Sequence, residues 1–298
     1  MTARLGLGTY RCRDVRRDAM MAASLGADWV DTAPNYAHGQ AENALAPVLV
    51  RHPDLKVSTK VGFVPADTGR IAVRAGMLTP EDARRGHCLT PGYIAWQVTR
   101  SARRLGRAPD IVFVHNPEHD CPPDAVTERL YAAFLALEEA CNQGVIKAYG
   151  VATWQGFGTG LFDVADLVAL AVRAGGLNHH LRSIQLPVSV VHLAPVGLAL
   201  DGLGVLVEAA SAGLEVFASA PLHGGEIPDM IGPELAELIA PGSTPAEAAL
   251  SVVASAPGIS RVLLSTGNPQ HWSRAADAVG RAPLSQDLLR KVTDVLGT

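Results

Sequence analysis

The sequence predicts an α/β fold, specifically a (β/α)8 TIM barrel formed by one domain that spans residues 1–298. Short apolar, β-rich segments alternate eight times with longer segments of helical periodicity, a pattern typical of parallel strands joined by right-handed crossovers. The length of 298 residues suits a closed barrel of this kind. A doubly wound open sheet would instead have a G-x-G-x-x-G turn after its first strand, and the segment Gly6–Tyr10 lacks that turn.

The predicted strands are short apolar runs that end where polar residues or turn signals begin. They are Leu5–Gly8, Trp29–Asp31, Val57–Lys60, Ile111–His115, Ala148–Ala152, Ser183–Leu186, Glu215–Ser219 and Val262–Ser265. Helical patterns lie between them, and Gly26, Gly106, Gly144 and Gly213 each follow such a run, as a left-handed helix C-cap requires. The predicted helices are Arg16–Leu25, Ala41–Arg51, Tyr93–Leu105, Ala125–Gln143, Val164–Ala174, Gly202–Ala212, Pro245–Ala256 and Pro269–Val279.

One connection is unusually long and runs from Gly62 to about Pro91, between the third strand and its helix. Connections of this length are usually functional or mobile. Because this one follows a strand, it lies on the side of the barrel that holds the active site. We therefore expect it to overhang the pocket and help select the substrate, with His87 either facing the site or serving a structural or surface role.

Composition and charge exclude several classes of function. The net charge of −4 leaves no basic surplus for nucleic acid. The segment Met1–Gly6 has no signal-peptide pattern, and no apolar run reaches the roughly 18 residues of a membrane span. We therefore expect a cytoplasmic protein without nucleic-acid or membrane partners. The four cysteines form no C-x-x-C pair, and no H-x-x-x-H pair or His/carboxylate triplet falls on one face of a predicted helix, so free thiols and no metal site are expected.

Four ionisable residues lie at or just after the ends of neighbouring predicted strands. Asp31 ends the second strand and Tyr36 follows it, whereas Lys60 ends the third strand and His115 the fourth. Taken singly, each residue type often serves as a helix cap, a packing residue or a solvated charge. The carboxyl ends of barrel strands surround the active site, so we expect the four side chains to converge there and to carry chemistry.

This group of side chains suits proton delivery to a carbonyl oxygen. A free tyrosine has a pKa near 10 and is a reluctant acid at neutral pH, but a nearby Lys60 ammonium stabilises the phenolate and is expected to lower the pKa of Tyr36. Asp31 would pair with Lys60 and keep it charged. His115 could donate a hydrogen bond that orients the carbonyl. Tyr36 is therefore the predicted proton donor.

Several motifs resemble those of the aldo-keto reductase superfamily over nearly the whole chain. They are Leu5–Tyr10, Asp31–Tyr36 with Gly39 and Glu42, Ser101–Gly106 with Asp110 and His115, and Gly144–Val151. The resemblance implies a catalytic tetrad of Asp31, Tyr36, Lys60 and His115. It also implies a nicotinamide cofactor, NADPH rather than NADH although NADH is possible, and a small carbonyl substrate. The segments His87–Tyr93 and His115–Glu118 (HNPE) resemble a less-characterised bacterial branch of that superfamily.

The resemblance also implies a set of cofactor-binding residues in the βα loops. They are Gly8, Thr9, Tyr10, Asp31, Thr153, Gln185, Ser219, Pro221, Leu222, His223, Ser265, Thr266, Gly267, His271 and Arg274. The chain departs from the family pattern at several of them. Ala152-Thr153 replaces the usual Ser-Asn contact with the carboxamide, where Thr153 is expected to take over. Ser219 replaces a Tyr that often stacks on the nicotinamide, a role that Trp154 or another aromatic residue would then fill.

A second departure concerns the adenosine 2′-phosphate. The Lys and Arg that usually hold it are Ser265 and His271 here, and Arg274 either substitutes for them or is only a surface residue.

Two functions remain open: an NAD(P)H-dependent carbonyl reductase or alcohol dehydrogenase, acting as a monomer or homodimer, and a nicotinamide-binding barrel with a redox-neutral, partner-binding or sensing role. The intact tetrad favours the reductase.

Overall fold

The fold is a closed barrel of eight parallel strands, seen in a computed structural model that describes residues 2–297. Each strand pairs with the next along the chain, and the first pairs with the last. The (β/α)8 TIM barrel predicted from the sequence is therefore confirmed. The strands are β1 Arg4–Gly8, β2 Trp29–Asp31, β3 Lys56–Val61, β4 Ile111–His115, β5 Tyr149–Ala152, β6 Leu181–Pro187, β7 Glu215–Ser219 and β8 Ile259–Leu264.

Helices cover the outside of the barrel and pack their apolar faces on the strands and on one another. In the described residues they are α1 Val15–Ser24, α2 Ala41–Arg51, α3 Ala66–Arg74, α4 Pro80–Arg85, α5 Pro91–Leu105, α6 Val126–Asn142, α7 Val164–Gly175, α8 Ala194–Leu200, α9 Val205–Ser211, α10 Ile227–Met230, α11 Pro233–Ile239, α12 Pro245–Ser255, α13 Pro269–Gly280 and α14 Gln286–Leu296. Among residues 2–297, none of these helices alone is long and apolar enough to cross a membrane, although the bent pair α8 and α9 passes on length and composition.

Bulky rings fill the interior of the barrel. The ring centroids of Trp29 and Phe217 are 5.2 Å apart, and those of Phe113 and Phe217 are 5.5 Å apart. Gly150 on β5 makes room for this packing, since a Cβ there would lie 2.4 Å from the Ser183 carbonyl oxygen and 2.8 Å from the Phe113 ring. The barrel is therefore a packed core, and a pocket can form only at one of its ends.

The long connection after β3 is helical, which the sequence reading did not predict. It contains α3 and α4, which pack on a small separate core that includes Val64, Leu78 and Tyr93. Helix α4 begins with a capping box in which Thr79 and Asp82 exchange hydrogen bonds between side chain and backbone. This segment thus has its own packed interior, whereas the sequence analysis assigned no helix to it.

The other differences between the predicted and the observed helices have local causes. Helix α9 begins at Val205 rather than at Gly202 because Gly202 and Gly204 adopt left-handed φ angles of 75° and 77°. Helices α8, α10, α11 and α14 were not predicted; three of them are at most seven residues long, and α14 follows a Ser285 cap near the end of the chain.

Candidate active site

A cavity of about 730 Å³ opens at the carboxyl end of the barrel strands. The predicted site residues in its wall are Gly8, Tyr10, Asp31, Tyr36, His115, Thr153, Gln185, Ser219, Pro221, Leu222, His223 and Ser265. Thr9 and Lys60 are buried outside this wall, at 1% exposure each. The remaining four, Thr266, Gly267, His271 and Arg274, belong to the segment that follows β8 and do not line the cavity.

Asp31 and Lys60 form a buried ion pair, and their side chains are 5% and 1% exposed. Lys60 Nζ lies 2.5 Å from Asp31 Oδ2 and also donates to the Thr32 carbonyl oxygen at 2.9 Å. The other carboxylate oxygen, Oδ1, accepts hydrogen bonds from Ser58 Oγ at 2.7 Å and from Gln185 Nε2 at 3.3 Å. Burial pushes the pKa of Lys60 down, but the Asp31 carboxylate and the Tyr36 side chain together outweigh burial and hold that pKa above its usual value. Lys60 is therefore charged at neutral pH.

Tyr36 follows β2 in a tight turn in which Ala37 and His38 have left-handed φ angles of 47° and 53°. The ring centroid of Tyr36 lies 4.8 Å from Lys60 Nζ and 6.2 Å from the His115 ring centroid. Side chains from three different strands or loops thus come together here, with Tyr36 and His115 in the cavity wall and Lys60 buried against the Tyr36 ring.

The pKa of Tyr36 moves in the opposite direction from the sequence-based expectation. Desolvation of the phenolate by burial raises this pKa, and Lys60 lowers it by a smaller amount, while Asp31 raises it further. The net effect is a pKa above the usual value, so the prediction of a lowered pKa was wrong. The phenol consequently retains its proton at neutral pH, which is the state that a proton donor requires.

His115 is a neutral imidazole at neutral pH. Burial, together with the charge of Lys60, holds its pKa well below the usual value. Its Nδ1 is buried and has no hydrogen-bond partner among the described residues, whereas the ring lines the cavity. An unprotonated ring nitrogen costs less to bury without a partner than an N–H group does. The proton therefore belongs on Nε2, which can donate to a carbonyl oxygen in the cavity.

The connection 62–91 contacts the site differently from the expectation. Among these residues, all of which the structure describes, Phe63 alone lines the cavity. His87 does not face it, because its Nε2 donates to the main-chain carbonyl oxygen of His115 at 2.8 Å. The structure therefore corrects the prediction that this connection overhangs the pocket: the connection contacts the end of β4 instead.

Glu118 organises the loop after β5, a role that sequence reasoning missed. Its Oε1 accepts hydrogen bonds from Thr153 Oγ1 at 2.6 Å, from the Trp154 amide at 3.1 Å and from the Gln155 amide at 3.2 Å. Thr153 Oγ1 in turn accepts from the Gly156 amide at 2.7 Å. The Thr153 hydroxyl is thus engaged within the protein, which disagrees with the expectation that it takes over the carboxamide contact. The signal in the sequence was the acidic residue of the HNPE segment.

Aromatic side chains form part of the cavity rim. Trp154 is 45% exposed and lines the cavity, so it is not a buried anchor. Its ring centroid is 5.8 Å from that of His192, which lies 5.3 Å from the His223 ring. Ser219 in the wall has no ring, whereas Trp154 offers an exposed aromatic surface that can stack on a flat ligand.

Arg11 was also missed by the sequence reading. It lines the cavity with a left-handed φ of 62°. Its Nη1 would lie 2.7 Å from a Cβ placed on Gly224, so the loops after β1 and β7 come close to each other at the mouth of the cavity. This brings a guanidinium next to the His223–Gly225 turn, where an anionic ligand group could be bound.

The segment after β8 differs in part from the expected phosphate site. Ser265 Oγ donates to the Gly8 carbonyl oxygen at 2.6 Å, and its proton is therefore not free for a phosphate. Thr266 Oγ1 accepts from the Asn268 amide at 3.2 Å and keeps its proton available. Arg274 is 63% exposed, with Nε 3.9 Å from Glu247 Oε1, so it is a solvated surface cation.

Cysteine and metal-ligating residues do not form a further site in residues 2–297. No group of three or more His, Cys, Asp or Glu side chains there could hold a metal ion. Cys12, Cys88, Cys121 and Cys141 are free thiols.

Comparisons with known proteins agree with this architecture. A family model described as "Aldo/keto reductase family" matches residues 2–161. A curated relative, D-threo-aldose 1-dehydrogenase from a Pseudomonas species, is 32% identical over 162 residues, which is 51% of this chain and 45% of the relative. The match thus spans less than half of that relative's length.

Solved structures of low sequence identity share the fold. An aldo-keto reductase from Klebsiella pneumoniae in complex with NADPH is 19% identical, with a TM-score of 0.67 over 99% of this chain and 95% of that one. A glycerol dehydrogenase from Gluconobacter oxydans is 18% identical, with a TM-score of 0.73 over 99% and 92% of the two chains.

Proposed function

Because the chain belongs to the aldo/keto reductase family, we propose that it is an NADPH-dependent oxidoreductase that reduces a small carbonyl compound to an alcohol, with Tyr36 as the proton donor. The observation that carries this proposal is the convergence of a protonated phenol, a buried ammonium and a neutral imidazole at one cavity. Two similar solved structures contain NADPH or NADP, which supports the choice of cofactor.

The residues of the cavity fit a nicotinamide dinucleotide. The Gln185 amide, which already donates to Asp31, lies where the resemblance places a carboxamide contact. Arg11 and the turn His223–Gly225 would contact the diphosphate, and Trp154 would provide the aromatic surface that Ser219 lacks. When bound, the nicotinamide supplies the hydride.

The side chains of this protein handle the proton and the developing charge. The Tyr36 hydroxyl donates its proton to the carbonyl oxygen as that oxygen gains electron density. The Lys60 ammonium stabilises the phenolate that remains, and Asp31 keeps Lys60 charged and in place. The His115 Nε2–H donates a hydrogen bond to the same oxygen and holds it next to the phenol. Preorganised donors of this kind act strongly because the site is shielded from water.

A sugar-like carbonyl compound is the substrate to test first. The curated relative is an aldose dehydrogenase by name. In this chain, Asn35 lines the cavity, and its Oδ1 is buried with no hydrogen-bond partner among the described residues, which leaves it an acceptor for a substrate hydroxyl. An unpaired buried acceptor is costly, and a hydroxylated substrate would relieve that cost.

Two measurements test the proposal. Tryptophan fluorescence should show NADPH binding more tightly than NADH, and NADPH oxidation should be detected with aldehydes, ketones or sugars, or NADP⁺ reduction with aldoses. Millimolar or absent binding of both cofactors would refute it. Tight binding without turnover of any compound would instead support the redox-neutral or sensing role, which the engaged Thr153 hydroxyl and the missing ring at Ser219 favour.

A further inference from the structure

His87 takes no part in the proposed proton transfer, yet it contacts His115 directly. The side chain is 6% exposed, and its Nε2 lies 2.8 Å from the main-chain carbonyl oxygen of His115. A carbonyl oxygen can only accept, so Nε2 carries the proton and donates. Burial lowers the pKa of His87 to about 4, and the ring is therefore neutral under ordinary conditions.

The ring of His115 lacks the hydrogen bond that usually fixes an imidazole. Its Nδ1 is buried without a partner among the described residues, although the orientation of a functional histidine is normally set by the bond that its other nitrogen makes. The ring packs edge-on against Phe63 instead, with centroids 4.7 Å apart, and Phe63 packs against His87 at 5.0 Å. The orientation of His115 therefore depends on a neighbouring ring and on where its backbone is anchored.

Gly62, which directly follows β3, leaves room for this contact. Gly62 has a φ of +125°, and a Cβ there would lie 2.7 Å from His87 Nε2, so only glycine leaves room for the imidazole. The Gln97 side chain accepts from the Gly62 amide and donates to the Phe63 carbonyl oxygen, both at 2.9 Å. Helix α5 thereby fixes the segment that carries Phe63, which pairs with His87 in an antiparallel bridge.

We propose that His87 is a positioning residue that, together with Phe63, fixes His115 so that its Nε2–H points at the substrate carbonyl. This inference rests on the proposed reduction, in which His115 orients the carbonyl. It assigns the helical connection between β3 and α5 to holding a catalytic side chain rather than to substrate selection. A displacement of about 1 Å in such a group can cost about 100-fold in rate.

A conservative pair of variants tests the hydrogen bond. His87→Leu removes the donor, whereas His87→Gln retains an amide N–H that can reach the carbonyl oxygen. We expect kcat/KM to fall about tenfold or more in His87→Leu, to stay within about threefold of wild type in His87→Gln, and the Kd for NADPH to be unchanged in both. His119→Ala is the matched control, because that exposed ring also packs on Phe63, at 5.0 Å, but forms no hydrogen bond with His115. The control should keep wild-type kinetics.

Imidazole NMR provides a readout that needs no turnover. The ring signals of His115 should shift or broaden in His87→Leu, should be restored in His87→Gln, and should be unchanged in His119→Ala. Unchanged His115 signals and rates in His87→Leu would overturn the inference, as would equal effects of His87→Leu and His119→Ala. If His87→Leu fails to fold, displaced His115 signals and a rate loss in His87→Gln would overturn it too. If the wild type turns over no carbonyl compound, the proposed function fails, and the NMR comparison alone decides the role of His87.

Discussion

Replacing Lys60 by Met should destabilise the protein more than most single substitutions do. The ammonium group is buried, contacts Asp31 at 2.5 Å and donates to the Thr32 carbonyl at 2.9 Å. Met has a similar shape but no charge, so Asp31 would remain as a buried carboxylate with only the neutral donors Ser58 and Gln185. Breaking a buried pair in this way costs about 3–5 kcal/mol.

The expected change in melting temperature follows from the size of the chain. With 298 residues at about 2.1 cal/mol/K each, the unfolding entropy is about 0.6 kcal/mol/K. A loss of about 3–5 kcal/mol then lowers the midpoint by about 5–8 °C. Thermal unfolding followed by circular dichroism at pH 7 measures it.

A double variant separates the ion pair from simple packing. Lys60→Met combined with Asp31→Asn removes both charges, so it should be more stable than Lys60→Met alone, with a coupling of about 0.5–3 kcal/mol. Two results would refute the reasoning: a free energy of unfolding of Lys60→Met within about 1 kcal/mol of wild type, or a double variant no more stable than Lys60→Met. In either case the Asp31 carboxylate would not depend on the Lys60 ammonium.

Three further predictions concern individual side chains. Tyr36→Phe should bind NADPH normally but reduce its carbonyl substrate about 10²–10⁴-fold more slowly in steady-state assays, and a rate within tenfold of wild type would contradict its role as proton donor. Glu118→Ala should accelerate amide hydrogen exchange at Trp154, whereas Glu118→Gln, which keeps an acceptor oxygen, should not; equal exchange in both would assign the order of this loop to other contacts. Burial raises the pKa of Glu138, but hydrogen bonds from His180 hold it below its usual value. The stability that Glu138 contributes is therefore present above about pH 4.3 and lost as the pH falls further, so melting temperature should decline more steeply with acid in wild type than in Glu138→Gln, and parallel declines would contradict this.

The strands were predictable because each one carries its own signal. Runs such as Ile111–His115 are apolar, β-branched and bounded by turn residues, and β4 has the predicted bounds. The positions of Asp31, Lys60 and His115 followed once the strands were assigned, because every parallel strand of a barrel ends at the same face.

The net direction of the Tyr36 pKa could not be predicted from the sequence. It depends on how much water the fold removes from the phenol, which is a property of packing and not of spacing. The hydrogen bonds of Glu118 and His87 could not be predicted either, because each joins segments that are distant in the chain. The short helices were missed because α3 and α4 are stabilised by tertiary contacts rather than by long periodic patterns, although the Thr79–Asp82 capping box was readable.

The pairing of β1 with β8 constrains when this protein can fold during synthesis. Leu5 pairs with Val262, and Ser265 Oγ donates to the Gly8 carbonyl oxygen, so the cavity wall is complete only after β8 and Ser265 have been made. At a translation rate of about 5–20 residues per second, roughly 13–50 s separate the two strands. During that interval β1 has an unpaired edge, which can recruit strands of other nascent chains. Pairing of β1 with β8 therefore both completes the wall of the ligand site and removes this unpaired edge.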